Sequence, residues 1–355
     1  MPRDEAPRSV GGGRAMKRLV LLNAGGTITM RRSDGGVLAP DASAADLLDE
    51  MPVLRRVADL ALETVFHLDS GDMQPAHWRV LARAVHAAVS DPAVDGVVVL
   101  HGTDTMAYTA SAVALMLGPL PKPVVFTGAQ RPLAEARTDA RRNLADACFL
   151  ATLPAPEVGV AFAGRLWRGV RVVKRDAWSF DAFASPACPC LVDLGLGEAM
   201  GTHVRDPAPL APFDDRLDPR VLAVRVFPGL DPEVLRHALA AGVRGLLLEG
   251  YGTGNLPTRE GSLIPVVNEA HDRGVPVVVV SQCPRGAVEL SRYEGGAAAH
   301  AAGAISGGEM TVEAALAKLM IGLGRYEGLE AIRAYFEADA VGERDEPGRR
   351  LLSPS

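Results

Sequence analysis

The sequence predicts an α/β layered chain with a larger N-terminal and a smaller C-terminal domain, and three observations predict it. Short β-rich apolar runs alternate with segments of helical periodicity, the signature of strands and helices packed in layers. The 355 residues exceed the roughly 250–300 at which a single core stops growing. Between Gly201 and Pro219 the composition shifts, with Pro207, Pro209, Pro212 and Pro219 standing among Asp and Ala, as a linker requires.

Residues 1–16 mix charges with Gly11-Gly12-Gly13 and read as a disordered leader. Lys17–Leu22 reads as a buried strand ending in a glycine turn. Its apolar part is too short for a signal peptide and no small-residue cleavage pattern follows. Pro75 opens an amphipathic helix whose Trp78, Leu81, Val85 and Val89 recur on one face. Val94–Leu100 is a continuous apolar run, expected of a strand covered on both faces. A helix (Thr105–Leu117), a strand (Pro123–Thr127), a helix (Asp139–Leu150) and a strand (Val158–Ala163) follow. These elements fill an N-terminal domain over 17–200, and 201–220 is the linker. The C-terminal domain, 221–340, carries strands near Val221–Val226, Gly245–Leu248 and Val275–Val280. Its helices fall near Pro232–Ala241, Leu263–Asp272, Thr311–Gly324 and Leu329–Ala338. Residues 341–355 read as a charged, proline-containing tail without a role.

Hydrophobic residues make up 48%, ample for a packed core, while 37 Lys+Arg against 43 Asp+Glu leave a formal charge of −6. That mildly acidic balance speaks against a nucleic-acid partner, which selects a basic face. No apolar run approaches the ~18 residues of a membrane helix. The four cysteines, Cys148, Cys188, Cys190 and Cys283, are too few for a disulfide scaffold, and Cys188-x-Cys190 lacks the second pair a zinc site needs. They read as small buried side chains in a reducing, cytoplasmic compartment, with no metal or cofactor. Met106, Met116 and Met320 read as core filler, and Arg137, Arg141 and Arg142 as a solvated helix face.

In open α/β sheets ligands gather beyond the carboxyl ends of strands. Three clusters qualify. Ala24-Gly25-Gly26-Thr27-Ile28-Thr29 follows the first strand, with glycines for a tight turn and a hydroxyl at its tip; alone it equally fits a structural turn or a phosphate cradle. His101-Gly102-Thr103-Asp104-Thr105 follows the most apolar strand. Asp104 would serve there as a helix cap and His101 as a hydrogen-bonded structural residue. The third candidate, Lys174, is an ordinary surface lysine unless folding brings it beside Thr103 and Asp104. Were it so placed, Asp104 would orient the amine and Lys174 would exchange protons with Thr103, a hydroxyl that is a poor nucleophile without a base.

At these residues the chain strongly resembles the L-asparaginase family, specifically its bacterial cytosolic (type I) branch. Ala24–Ile28 is similar to that family's first threonine motif, and His101–Ala110 to its second. Thr127-Gly128-Ala129-Gln130-Arg131-Pro132-Leu133-Ala134-Glu135, Arg165–Lys174 and Phe180–Pro186 extend the likeness. Gly250–Asn255 and Gly308–Ala314 carry it into the C-terminal half, so it covers roughly 17–340. The resemblance implies that Thr27 is the nucleophile on a side-chain amide and that Thr103, Lys174 and Asp104 form a proton relay. It further implies that Asp104 holds the substrate ammonium and Ser70 the α-carboxylate, with Gly71, Asp72, Thr103 and Ala129 also lining the substrate. Products would be aspartate and ammonia, without metal or cofactor. It implies a flavodoxin-like N-terminal domain with a left-handed crossover. It also implies active sites shared between subunits of a homodimer or homotetramer, with Tyr293 as a candidate partner contribution.

Three positions depart from the family pattern. Val37 stands where the family carries a loop tyrosine, and no tyrosine precedes Tyr108; a valine neither donates nor accepts a proton. Gly71 replaces a Ser or Gln, the loss of one hydrogen bond to a charged ligand, about 1.5–3 kcal/mol. Glu249 stands where cytosolic relatives can carry an arginine that holds an effector carboxylate. These departures leave open a related amidase acting on glutamine, a D-isomer or another small amide, or a weakly catalytic amino-acid-binding protein. Retention of Lys174 speaks for catalysis. An archaeal-type tRNA amidotransferase subunit would need an added N-terminal domain, and about sixteen residues precede the first strand.

Overall fold

A computed structural model describes residues 16–32, 38–40 and 49–345. The expectations for the leader, for Val37 and for residues 346–355 therefore lie outside the described residues, Met16 excepted.

The N-terminal region builds one sheet from strands β1 (Arg18–Asn23), β4 (Asp59–Thr64), β5 (Gly96–Leu100), β6 (Val124–Thr127), β7 (Val158–Phe162), β8 (Arg165–Arg168), β11 (Val192–Leu194) and β12 (Glu198–Met200). A two-stranded ribbon, β2 (Met30–Arg32) with β3 (Leu38–Pro40), and another, β9 (Val173–Lys174) with β10 (Phe183–Ala184), stand beside it. The sheet order is β4-β1-β5-β6-β7-β8-β11-β12. Its first five strands run parallel, as in flavodoxin-like sheets, and β8, β11 and β12 extend it antiparallel.

Alternation along β1 sends Val20 and Leu22 to one face and Leu19 and Leu21 to the other. The first face packs on helix α1 (Pro75–Ser90), through Trp78, Leu81, Val85 and Val89, and on helix α2 (Met106–Leu117), which is buried nearly all round. Helix α3 (Ala140–Leu150) covers the other face with Ala140, Leu144 and Ala147. Pro75 pre-sets the first turn of α1, and the Gln74 amide donates to His77 Nδ1 at 3.0 Å to close it.

After an irregular stretch over residues 201–220, a smaller parallel sheet forms from β13 (Val221–Arg225), β14 (Gly245–Gly250), β15 (Val277–Ser281) and β16 (Ile305–Ser306). Helices α4 (Pro232–Ala240), α5 (Ile264–Asp272) and α6 (Glu294–Ala301) lie toward one face, with α7 (Val312–Arg325) and α8 (Leu329–Glu337) on the other. Ala314, Ala317, Met320 and Ile321 of α7 join the core beneath α2, so the two regions share apolar packing.

Residues 341–345 are not a free tail. Val341 and Glu343 are buried, and the Glu343 carboxylate accepts from Lys318 Nζ at 2.6 Å and from the amides of Ala340 at 3.0 Å and Val341 at 2.8 Å. Burial would raise that carboxyl, but the Lys318 contact and the amides outweigh it and hold Glu343 below the ordinary carboxylate range, while burial leaves the Lys318 amine below its own usual value. Lys318 Nζ also donates to the carbonyls of Ala338 at 2.6 Å and Phe336 at 3.3 Å. Buried Arg171 reaches this segment too, through Nε to the Gly342 carbonyl at 2.6 Å and Nη2 to Asp345 at 3.0 Å. Among the cysteines, Cys148 and Cys188 are buried as expected, whereas Cys190 is half-buried and Cys283 exposed. Cys283 lies just past the end of β15, where the chain leaves the core.

Candidate active site

The strand following β1 in the large sheet, β4, pairs on one side of it and the next, β5, on the other. Sheet growth thus reverses between β1 and β5, the kind of switch point beyond whose carboxyl ends ligands gather in open α/β sheets. The two threonine loops leave from that point. Ala24 donates to the Leu100 carbonyl at 2.9 Å, Asn23 Oδ1 accepts from the Gly25 amide at 2.9 Å, and Gly26 donates to the Leu68 carbonyl at 3.0 Å. Gly26 sits at φ +91°, and a Cβ there would fall 2.2 Å from the Gly102 nitrogen. Only glycine lets the loops touch backbone to backbone.

Ser70 closes a third side. It begins a single 3₁₀ turn, Ser70–Asp72, in which Asp69 accepts from the Gly71 amide at 2.9 Å. Thr105 Oγ1 donates to the Ser70 carbonyl at 2.8 Å, and a Cβ on Gly102 would meet Ser70 Oγ at 2.5 Å. Ser70 is buried, while Gly71 and Asp72 are exposed.

Lys174 ends the two-residue strand β9, which the turn Gly169–Arg171 swings back from β8, and it pairs with Phe183 of β10. Its Nζ donates to Thr103 Oγ1 at 2.8 Å and to Asp104 Oδ1 at 2.6 Å. The lysine side chain is 18% exposed and the aspartate 66%, so the amine is shielded while the carboxylate faces outward. Thr27 is half-buried at the start of the turn Thr27–Thr29, on the loop that abuts Gly102. Among the described residues its hydroxyl makes no hydrogen bond to the trio. The structure thus joins Thr103, Lys174 and Asp104 directly and sets Thr27 and Ser70 on neighbouring loops.

Ala129 is buried two residues past the end of β6, one residue before a side chain that pattern reading did not single out. Thr103 Oγ1 donates to Gln130 Oε1 at 3.2 Å. Asp139, itself buried, accepts from the amides of Gln130 at 3.0 Å and Arg131 at 3.1 Å and from Asn143 Nδ2 at 3.1 Å, which fixes the loop after β6. The available signal was a polar residue directly after a predicted strand, the criterion that found Thr103.

His101 is buried and hydrogen-bonded at the strand end. Complete burial lowers its pKa to about 4, so the ring is neutral, and Nδ1–H donates to the Gly102 carbonyl at 2.7 Å. Tyr293 is 55% exposed at the start of α6, and Glu249 lies on β14, 3.8 Å from Arg225. Among the described residues no three His, Cys, Asp or Glu side chains are grouped to hold a metal.

Residues 18–206 match the family model for the asparaginase N-terminal domain, and residues 220–336 the glutaminase/asparaginase C-terminal domain. The chain belongs to the asparaginase family. It is 40% identical over 331 residues to the L-asparaginase of Thermococcus kodakarensis, covering 92% of this chain and 98% of that protein. To L-asparaginase 1 of Escherichia coli K12 it is 39% identical over 339 residues, covering 92% and 98%. A solved structure of the Thermococcus kodakarensis enzyme superposes with a TM-score of 0.85 at 39% identity, covering 93% of this chain and 99% of that one. L-asparaginase I from Vibrio cholerae gives 0.83 at 36%, covering 94% and 100%. A glutamyl-tRNA(Gln) amidotransferase component from Methanothermobacter thermautotrophicus is 35% identical, but this chain spans 76% of it. The chain is therefore an asparaginase-family enzyme of two α/β domains, with type I L-asparaginase relatives.

Proposed function

We propose that this enzyme hydrolyses the side-chain amide of L-asparagine to L-aspartate and ammonia. One observation carries the reading: a shielded lysine amine bonded at once to Thr103 Oγ1 and Asp104 Oδ1 beyond the carboxyl end of β5. Asp104 orients the amine, Lys174 carries protons to and from Thr103, and Thr103 passes them to the reacting centre. Thr27, on the adjoining loop, attacks the amide carbonyl. Its hydroxyl proton leaves through the relay, the C–N bond breaks, and the departing nitrogen takes a proton to leave as ammonia. Water then cleaves the acyl–oxygen bond, returning Thr27 and releasing aspartate. Buried Ser70 receives the α-carboxylate and the outward face of Asp104 the α-ammonium, with Gly71, Asp72 and Ala129 alongside. No metal or cofactor takes part in this scheme.

The same reading makes the enzyme cytoplasmic and homo-oligomeric. Asp104 is open enough to receive a second protomer, with Tyr293 as a candidate contribution. No helix among the described residues is long and apolar enough to cross a membrane.

The test is ammonia release with asparagine and glutamine over a concentration series, for wild type and Lys174→Met. Asparagine turnover that falls about 10²–10⁴-fold in the variant supports the reading. Faster release from glutamine reassigns the amide, and binding of asparagine without hydrolysis by either protein makes the chain a binding protein. Hydroxylamine trapping of an acyl group on Thr27 separates direct attack by the threonine from attack by water.

A further inference from the structure

We infer that Gln130 is a positioning residue of the relay: it fixes the direction of the Thr103 hydroxyl and ties the segment after Lys174 to the same strand end. The inference rests on the function proposed above. The partners of the amide fix its orientation. Gln130 Nε2 lies 3.1 Å from the Ser179 carbonyl and 3.4 Å from that of Asp176. Two carbonyl oxygens accept only from N–H, so the NH₂ end must face them and Oε1 must face Thr103. An amide oxygen in turn only accepts, so the Thr103 proton points at Gln130 and the Thr103 lone pairs remain for Lys174 Nζ at 2.8 Å. The direction of the hydrogen bonds is thereby set, from Lys174 Nζ to the Thr103 hydroxyl to the Gln130 amide oxygen.

Gln130 also has a mechanical role. The ribbon that carries Lys174 is two residues per strand, too short to locate an amine by itself. Just beyond it, Asp176 Oδ1 accepts from the amides of Trp178 at 2.7 Å and Ser179 at 2.8 Å, which makes residues 176–179 a compact turn. Gln130 bonds the carbonyls of that turn while its own amide is clamped by buried Asp139. One side chain therefore sets the hydroxyl at the end of β5, the loop after β6 and the turn after β9 relative to one another.

Two variants test this. Gln130→Met keeps the bulk but removes the acceptor and both anchors, so kcat for asparagine falls about tenfold while KM stays within about twofold. Gln130→Glu places a negative charge within 6.0 Å of Lys174 Nζ by way of the Thr103 oxygen. That charge favours the ammonium, so the acidic limb of the pH–rate profile moves to higher pH. Acylation of Lys174 by a small amine-reactive anhydride, which releases its carboxylate as the amide forms, followed by mass spectrometry, moves the same way. A merely structural role would lower the amplitude of both curves without moving either. Wild-type kcat in the methionine variant, or coincident pH curves in the glutamate variant, overturns the inference. The labelling arm needs no turnover, so a wild-type protein inactive on every amide would overturn the proposed function while leaving the role of Gln130 decided by labelling.

Discussion

Replacing Gly26 with alanine should lower asparagine turnover about a hundredfold. The added Cβ would lie 2.2 Å from the Gly102 nitrogen, 2.4 Å from its Cα and 2.7 Å from the His101 carbonyl carbon, whereas ordinary contact begins at 3.4 Å. Every one of those atoms is backbone, so no side chain can swing aside and the two threonine loops must part by about 1 Å. A displacement of that size between reacting groups costs roughly 10² in rate. The φ of +91° adds about 1–2 kcal/mol of strain to an L-residue. The melting temperature should therefore fall by some degrees while the fold persists. Steady-state ammonia release at saturating asparagine, beside a circular-dichroism melt, reads both effects. A variant with kcat within twofold of wild type would refute the claim that backbone contact between the loops sets the spacing of Thr27 and Thr103.

Gly71 offers the reverse experiment. A Cβ there meets only Asp69 Oδ1, at 3.7 Å. Gly71→Ser should fold normally and restore a hydrogen bond to the substrate, lowering KM for asparagine about tenfold; an unchanged KM would place position 71 outside the site. Acid should destabilise the protein in two stages. His101 is held neutral with a pKa of about 4 against 6.5, so its contribution is full above pH 6.5 and fades by about 3 kcal/mol as pH falls through that value toward 4. Glu343, depressed by Lys318, contributes above the ordinary carboxylate pKa and loses that contribution only in stronger acid. Melting curves from pH 7 to 3 read the sequence, and a flat melting temperature between 7 and 4.5 contradicts it. A thiol reagent should modify exposed Cys283 first, whereas Cys148, buried with its thiol pushed up to about 12, should react only on unfolding; early labelling of Cys148 in a peptide map would count against the packing of α3.

What could be read from the sequence follows the range of the interactions. Thr27, Thr103 and Asp104 were legible because each directly follows an apolar strand. Lys174 was not, since pattern alone gives a lone lysine and only the turn Gly169–Arg171 brings it to Asp104; the family resemblance supplied it. Gln130 and Asp139 pair across nine residues with no period to announce them. Strand β4 hid because Asp59–Thr64 is half-exposed at the sheet edge. Helix α6 hid because Gly295 and Gly296 depress its propensity. The last described segment reads as a solvated tail by composition, yet Glu343 meets a lysine twenty-five residues earlier.

That segment bears on the order in which the protein takes shape during synthesis. Domains generally mature from the N-terminal end as the chain emerges. Here Arg171, almost fully enclosed in the first domain, meets Glu309, Gly342 and Asp345 from much later in the chain. An enclosed charge without a counterion is strongly unfavourable. The first domain therefore reaches its finished form only once residues 309–345 have docked onto it.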